Sequence, residues 1–200
     1  MKTIATLFLL TFLPLAAFSQ DFSKSLAEAK TSYTSGDLSS SRFAMEQMLR
    51  SLDAEIGKEI LKMLPVKMED RSPNLKEDDV TGGGSGMGMG LFVHRSYGPA
   101  SNQVTVDIIN NSPLINSLQA VLALPFIGNS GDGSQKVVKV QGYKAVLNKV
   151  EGMEGTPSGY ELQIPLQNTL LTLTADNAKE DSILKMANSL PLDKIAQMAH

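Results

Sequence analysis

The hydrophobic period of this chain changes from helical to strand-like about a third of the way along, and that change limits the folds open to it. Between Phe22 and Leu64 the apolar residues Leu26, Ala29 and Tyr33, then Phe43, Ala44, Met48, Leu52 and Ile56, recur at helical spacing. Past a charged stretch the repeat falls to two, which predicts strands over Met87–Tyr97, Gln103–Asn110, Lys136–Gln141, Tyr143–Val150, Tyr160–Pro165 and Thr169–Ala175. Short connections, such as Gln167-Asn168 and the run from Gly152 to Gly159, favour antiparallel neighbours, because parallel strands need a long crossover. The expected fold class is α+β: an antiparallel sheet covered by helices, preceded by an N-terminal helical hairpin.

Local signals set the element ends. Ser35-Gly36-Asp37 splits the first period into two helices, with Asp37 or a neighbouring serine capping the second, which ends before Pro65. Residues 65–85 are charged, carry Pro65 and Pro73 and lack a period, which predicts a flexible, exposed linker. Within the sheet region Ser112 caps and Pro113 opens a helix with the stripe Leu114, Ile115, Leu118, Val121 and Leu122. A closing helical region starts near Asp176, runs through Ile183, Leu184, Met186 and Ala187, breaks around Pro191 and resumes through Ile195. The expected organisation is a signal peptide over 1–19, a hairpin over 20–64, the linker over 65–85 and an α+β sandwich over 86–200.

The leader reading rests on Lys2, the apolar run Ile4 to Leu15, and the small residues of Ala17-Phe18-Ser19 before Gln20. The run is shorter than the about 20 residues a membrane span needs, so no stable membrane insertion is expected after its removal. The mature chain is expected in the periplasm or outside the cell. It holds no cysteine, which excludes thiol catalysis, thiolate metal sites and a lipid on a cleavage-site thiol, and leaves stability to the core alone. The formal charge of −3 becomes −4 without Lys2, with acids and bases intermixed. That balance argues against nucleic acid and against capture by an anionic membrane surface.

The segment Ala27 to Leu49, AEAKTSYTSGDLSSSRFAMEQML, resembles one tetratricopeptide unit, with Tyr33, Gly36-Asp37 and Ala44 in the expected places. A stable solenoid needs about three such units, so a single one is expected to pack on the second domain or on a copy of itself. The C-terminal part is similar to PsbP-like and Mog1-like α/β/α sandwiches across KVQGYKAVL (Lys139–Leu147), YELQIPL (Tyr160–Leu166) and DSILKMANSL (Asp181–Leu190). That resemblance implies a binding or assembly-factor scaffold and supports no particular catalysis.

The glycine-rich stretch TGGGSGMGMGLFVHRSYG, Thr81 to Gly98, invites a nucleotide reading and fails it. Starting from Gly82 and Gly84, or from Gly86 and Gly88, the dinucleotide fingerprint needs glycine where Met87 or Leu91 stands, and a P-loop needs Lys and Ser or Thr after its last glycine. Parity is more informative: Gly82, Gly84, Gly86, Gly88 and Gly90 share one face of a strand, and Met87, Met89, Leu91 and Val93 the other. The expectation is a close-packed strand entered from the linker, its bare face admitting another backbone.

Candidate chemistry is sparse. Met87, Met89 and His94 together suggest soft ligands for cuprous copper, but Met87 and His94 fall on opposite strand faces, and methionine is a common core filler; no metal and no cofactor is expected. His200 is terminal, no G-x-S-x-G occurs, and Glu151, Glu154 and Glu161 flank a loop. Gly128–Gln135 carries one carboxylate, Asp132, where a calcium loop needs several. His94, Arg95 and Tyr97 are the candidate ligand or partner contacts, with Arg95 and Tyr97 marking where a core-like face emerges to solvent. The function expected is that of an exported, non-enzymatic binding or assembly protein, its partner an envelope protein or a small ligand. The alternatives are a hydrolase using His94 with a serine or carboxylate brought close by the fold, and a structural protein that forms homo-oligomers through its hairpin.

Overall fold

The computed structural model describes residues 16–83, 90–123, 134–150 and 158–199. Residues 1–15 of the expected leader, Met87, Met89, Asp132, Glu151, Glu154 and His200 therefore lie outside the described residues. The chain divides into two compact units, 1–51 and 52–200, and the division falls inside the second helix, not at Pro65.

The first unit is a helical hairpin built from α1 (Ala16–Thr34) and the first part of α2 (Leu38–Met63). Gly36 takes the turn at a φ of 82°, a backbone conformation that costs glycine nothing. Asp37 caps α2 as expected, its Oδ1 accepting the Ser40 N–H at 3.0 Å. That bond favours the carboxylate and lowers the Asp37 pKa below its ordinary value. Between the helices the buried residues are small: Ala29, Ser41 and Ala44, with the Ser41 hydroxyl donating to the Ala29 carbonyl at 3.0 Å.

The second unit is α+β. Its strands are β1 (Asp79–Thr81), β2 (Phe92–Tyr97), β3 (Val104–Asn110), β4 (Gln135–Val140), β5 (Tyr143–Val150), β6 (Gly159–Leu166) and β7 (Thr169–Asp176), and its remaining helices α3 (Leu114–Ala123), α4 (Glu180–Asn188) and α5 (Leu192–Met198). The strands form one seven-stranded antiparallel sheet in the order β1-β2-β3-β7-β6-β5-β4. After β3 the chain crosses to the far edge by way of α3, then returns as a meander that ends beside β3. The β4–β5 turn, Gln141-Gly142, has positive φ at both positions, the pattern whose twist matches the flanking strands.

Alternation sorts the sheet into two faces. Val93, Val104, Val106, Ile108, Leu171, Leu173, Leu162, Ile164 and Leu147 belong to one buried core with Ile60 and Leu64, Met68, Ile183 and Met186 of α4, and Leu192 and Ile195 of α5. Each large side chain buried there contributes roughly 1.5–3 kcal/mol. On the other face α3 covers only the region around Val146 and Leu170, using Ile115 and Leu118. The Leu114 N–H reaches the Ser112 hydroxyl at 3.4 Å, a long version of the expected cap.

Two expectations need correction. Through residue 83 the segment expected as an exposed linker is fastened to the second unit: Met68 is fully buried, Pro73 bridges to Tyr97, and Asn74 donates its N–H to the Ser96 carbonyl at 2.9 Å. Its charged composition hid one anchoring methionine and a three-residue edge strand, β1, too short to show a period. The glycine stretch, in turn, is entered not from a linker but from β1, which pairs antiparallel with β2, Thr81 opposite Phe92, and at its far end the Gly90 N–H donates to the Asn110 carbonyl at 2.9 Å. Its described ends lie close together, since a Cβ on Gly83 would come within 2.9 Å of the Gly90 Cα. The parity of Gly84, Gly86 and Gly88 lies outside the described residues.

Candidate functional site

Strand β2 carries all three expected contact residues, and its two-residue period sends them to different faces. Arg95 and Tyr97 belong to the helix-covered face with Val93, and His94 to the other with Phe92 and Ser96.

The core-like face does not emerge to solvent at Arg95 and Tyr97: Arg95 is 8% exposed and Tyr97 fully buried. The guanidinium forks onto Asp78, with Nε to Oδ1 at 2.8 Å and Nη2 to Oδ2 at 2.5 Å, and Nη1 donates to the Leu61 carbonyl in the last turn of α2 at 2.8 Å. The Asp78 hydrogen bonds raise the Arg95 pKa above its already high ordinary value. Tyr97 donates its hydroxyl to the Pro65 carbonyl at 3.0 Å. Burial pushes its phenol pKa upward, with the neighbouring Arg95 charge partly opposing. Both side chains tie α2 and the segment after it to β2.

His94 sits half-buried on the outer face, its Nδ1 2.6 Å from Asp107 Oδ1, with the Phe92 ring stacked at 6.4 Å between centroids. An aspartate on Nδ1 orients an imidazole as in the base half of a nucleophilic triad. Among the described residues, however, no hydroxyl is hydrogen-bonded to His94, so the structure brings together His94 and Asp107 and supplies no nucleophile. Nor do three His, Asp or Glu side chains converge on a metal-sized space among the described residues. Asp107 was missed in the sequence because its pairing with His94 depends on the β2–β3 register; its only signal was a lone acid in the alternating run VTVDIIN.

Away from α3 the outer face is polar. The register lines up Ser96, Thr105, Thr174, Glu161, Asn148 and Gln135 in one row across the sheet. Gln135 donates to Asn148, and Asn148 and Gln163 both donate to Glu161, at 2.8–3.4 Å. A solvated face of this kind is ordinary for an antiparallel sheet.

The hairpin is less ordinary. On α1, Phe22, Leu26 and Tyr33 fall within about 40° on a wheel of 100° per residue, and on α2, Leu38, Met45 and Leu49 do the same. All six are exposed, Tyr33 at 66% and Leu49 at 60%. From the edge by which its helix packs, each stripe is turned in the same sense, by about 40° from Ala29 on α1 and by about 90° from the midpoint of Ser41 and Ala44 on α2. Because the helices are antiparallel, equal senses of rotation put both stripes on one side of the hairpin. Phe43, 56% exposed, belongs to the opposite side. Comparison with known protein families, characterised proteins and solved structures finds no match for this chain.

Proposed function

We propose that the chain is an exported, non-enzymatic binding or assembly protein of the cell envelope, and that its working surface is the apolar side of the hairpin. One observation carries this reading: the first unit buries only Ala29, Ser41 and Ala44 among its described side chains while six large apolar ones on one side meet water. Contiguous apolar surface of that extent marks an interaction site, since a monomer gains nothing from keeping it wet. Export is supported by the leader pattern of Lys2, Ile4–Leu15 and Ala17–Ser19. Cleavage before Gln20 would leave Gln20–Thr34 of α1, which includes its whole apolar stripe.

The test is site-specific photocrosslinking in living cells. A crosslinker at Leu26 or Leu49 should yield discrete adducts, and one at Lys139, exposed on the second unit, should not. Equal labelling at all three positions, or none at the hairpin, rejects the reading. The mass of the protein recovered from the envelope fraction should correspond to a chain beginning at Gln20; a full-length mass rejects export by cleavage.

A further inference from the structure

We infer that the occupant of the hairpin's apolar side is a second copy of the same chain, packed by a two-fold axis into an antiparallel four-helix arrangement. This rests on the hairpin being the working surface and names what fills it.

Three features of the hairpin favour a copy of itself. The first is area. At the exposures observed, Phe22, Leu26, Tyr33, Leu38, Met45 and Leu49 offer about 600 Å² per chain, taking about 200 Å² for a large apolar residue, so that two copies cover about 1,200 Å². That reaches the lower edge of stable interfaces before any rim is counted. The second is charge. Between Asp21 and Arg50 the acids Asp21, Glu28, Asp37 and Glu46 are matched in number by Lys24, Lys30, Arg42 and Arg50. A partner selected by charge would leave one sign in excess here, whereas a balanced surface meets its own copy without net repulsion.

The third is the order of charges along the seam. Arg42 and Glu46 border the α2 stripe one turn apart, paired at 3.2 Å, with the arginine side chain 84% exposed. With the two-fold axis set perpendicular to α2 at Ala44, Arg42 of each chain comes opposite Glu46 of the other, which is the self-complementarity an isologous contact requires.

The experiment is sedimentation equilibrium of the full chain, purified from its own host without denaturation, across low to high micromolar concentrations. The wild type should sediment as a dimer, and Leu49→Glu should weaken dimerisation by about 30-fold or more, the effect of losing a central anchor, with circular dichroism unchanged. The absence of native cysteine supplies a second readout that does not depend on that variant folding: Met45→Cys, near the middle of the α2 stripe, should form a disulfide-linked dimer on mild oxidation, and Lys139→Cys should not. A wild type that stays monomeric, with no Met45→Cys dimer, overturns the inference, as does a dimer indifferent to Leu49→Glu. If the chain is monomeric yet Leu49 crosslinks to a different protein in cells, the second copy is refuted and the binding surface stands. If neither dimer nor adduct appears, both readings fall.

Discussion

Arg95 offers a sharp test of whether β2 holds the second unit together. Replacing it with methionine keeps much of its length and removes its charge. Asp78 is then left as a carboxylate whose side chain is 16% exposed, without the guanidinium that satisfied both oxygens, and the Leu61 carbonyl loses a donor. Breaking a buried pair from one side costs about 3–5 kcal/mol. Because Asp78 keeps some access to water, the lower end applies, about 3 kcal/mol. In a domain of about 150 residues that lowers the melting temperature by about 6–12 °C. The assay is thermal and urea unfolding followed by circular dichroism, completed as a double-mutant cycle. Arg95→Met/Asp78→Leu removes both charges together and should recover to within about 1 kcal/mol of wild type, since a buried pair is worth little more than the apolar contact replacing it. An Arg95→Met protein that melts with the wild type, or a double variant as unstable as the sum of the singles, refutes the argument.

Other expectations follow from the same physics. Tyr97→Phe deletes the hydrogen bond to the Pro65 carbonyl and should cost about 1 kcal/mol at neutral pH by urea midpoint. Because burial raises the Tyr97 pKa, its contribution is fully present below the ordinary phenol value near 10 and is lost as pH rises through the folded value. The stability gap between wild type and Tyr97→Phe should therefore shrink in strong alkali, and a constant gap would contradict it. At Gly57, inside α2, a Cβ would meet Val80 Cγ1 at 2.4 Å and Leu91 Cδ1 at 3.0 Å. Gly57→Ala gains about 1 kcal/mol of helix propensity against an overpacking cost of about 1–3 kcal/mol, so urea unfolding should show net loss, and a gain would mean that α2 shifts freely over β1. Asp37 has a lowered pKa, so its cap is present above the ordinary carboxylate range and is lost as pH falls. Asp37→Ala should reduce helicity at neutral pH and differ less from wild type in strong acid, as read by ellipticity; equal helicity at neutral pH would show that the cap does not hold α2.

Hydrophobic period alone was enough for much of the architecture. The limits of β5, Tyr143–Val150, are those the alternation predicts, β6 runs one residue past expectation at each end and β7 one residue past it at its C-terminal end, because each has one face in the core and the side-chain repeat is two. The Asp37 cap and the end of α2 before Pro65 are also local chemistry, set by a side-chain acceptor and by a residue that cannot continue a helix. The segment 65–83 was misread for the opposite reason. Its order comes from partners far along the chain, Tyr97, Ser96 and Asn102 among them, and a charged, proline-bearing run carries no local trace of them.

The candidate contacts divide in the same way. Residue types marked His94, Arg95 and Tyr97 as unusual on a strand, but not which face meets water, since a helix-covered face and an open one share the same alternation. Arg95 is buried because Asp78, on the extension of β1, lies across from it to neutralise its charge, and β1 pairing exists only once the chain has folded back. His94 meets Asp107 through the β2–β3 register, which long-range packing sets. The hairpin's apolar side shows the division most plainly. The sequence by itself set Leu26, Ala29 and Tyr33, then Phe43, Ala44, Met48 and Leu52, on helical repeats, and did not single out Met45 or Leu49. Only the tertiary structure decided that Ala29, Ser41 and Ala44 are buried while Leu26, Tyr33, Met45 and Leu49 stay in water, because which side of a helix is covered depends on what packs against it and not on its own period.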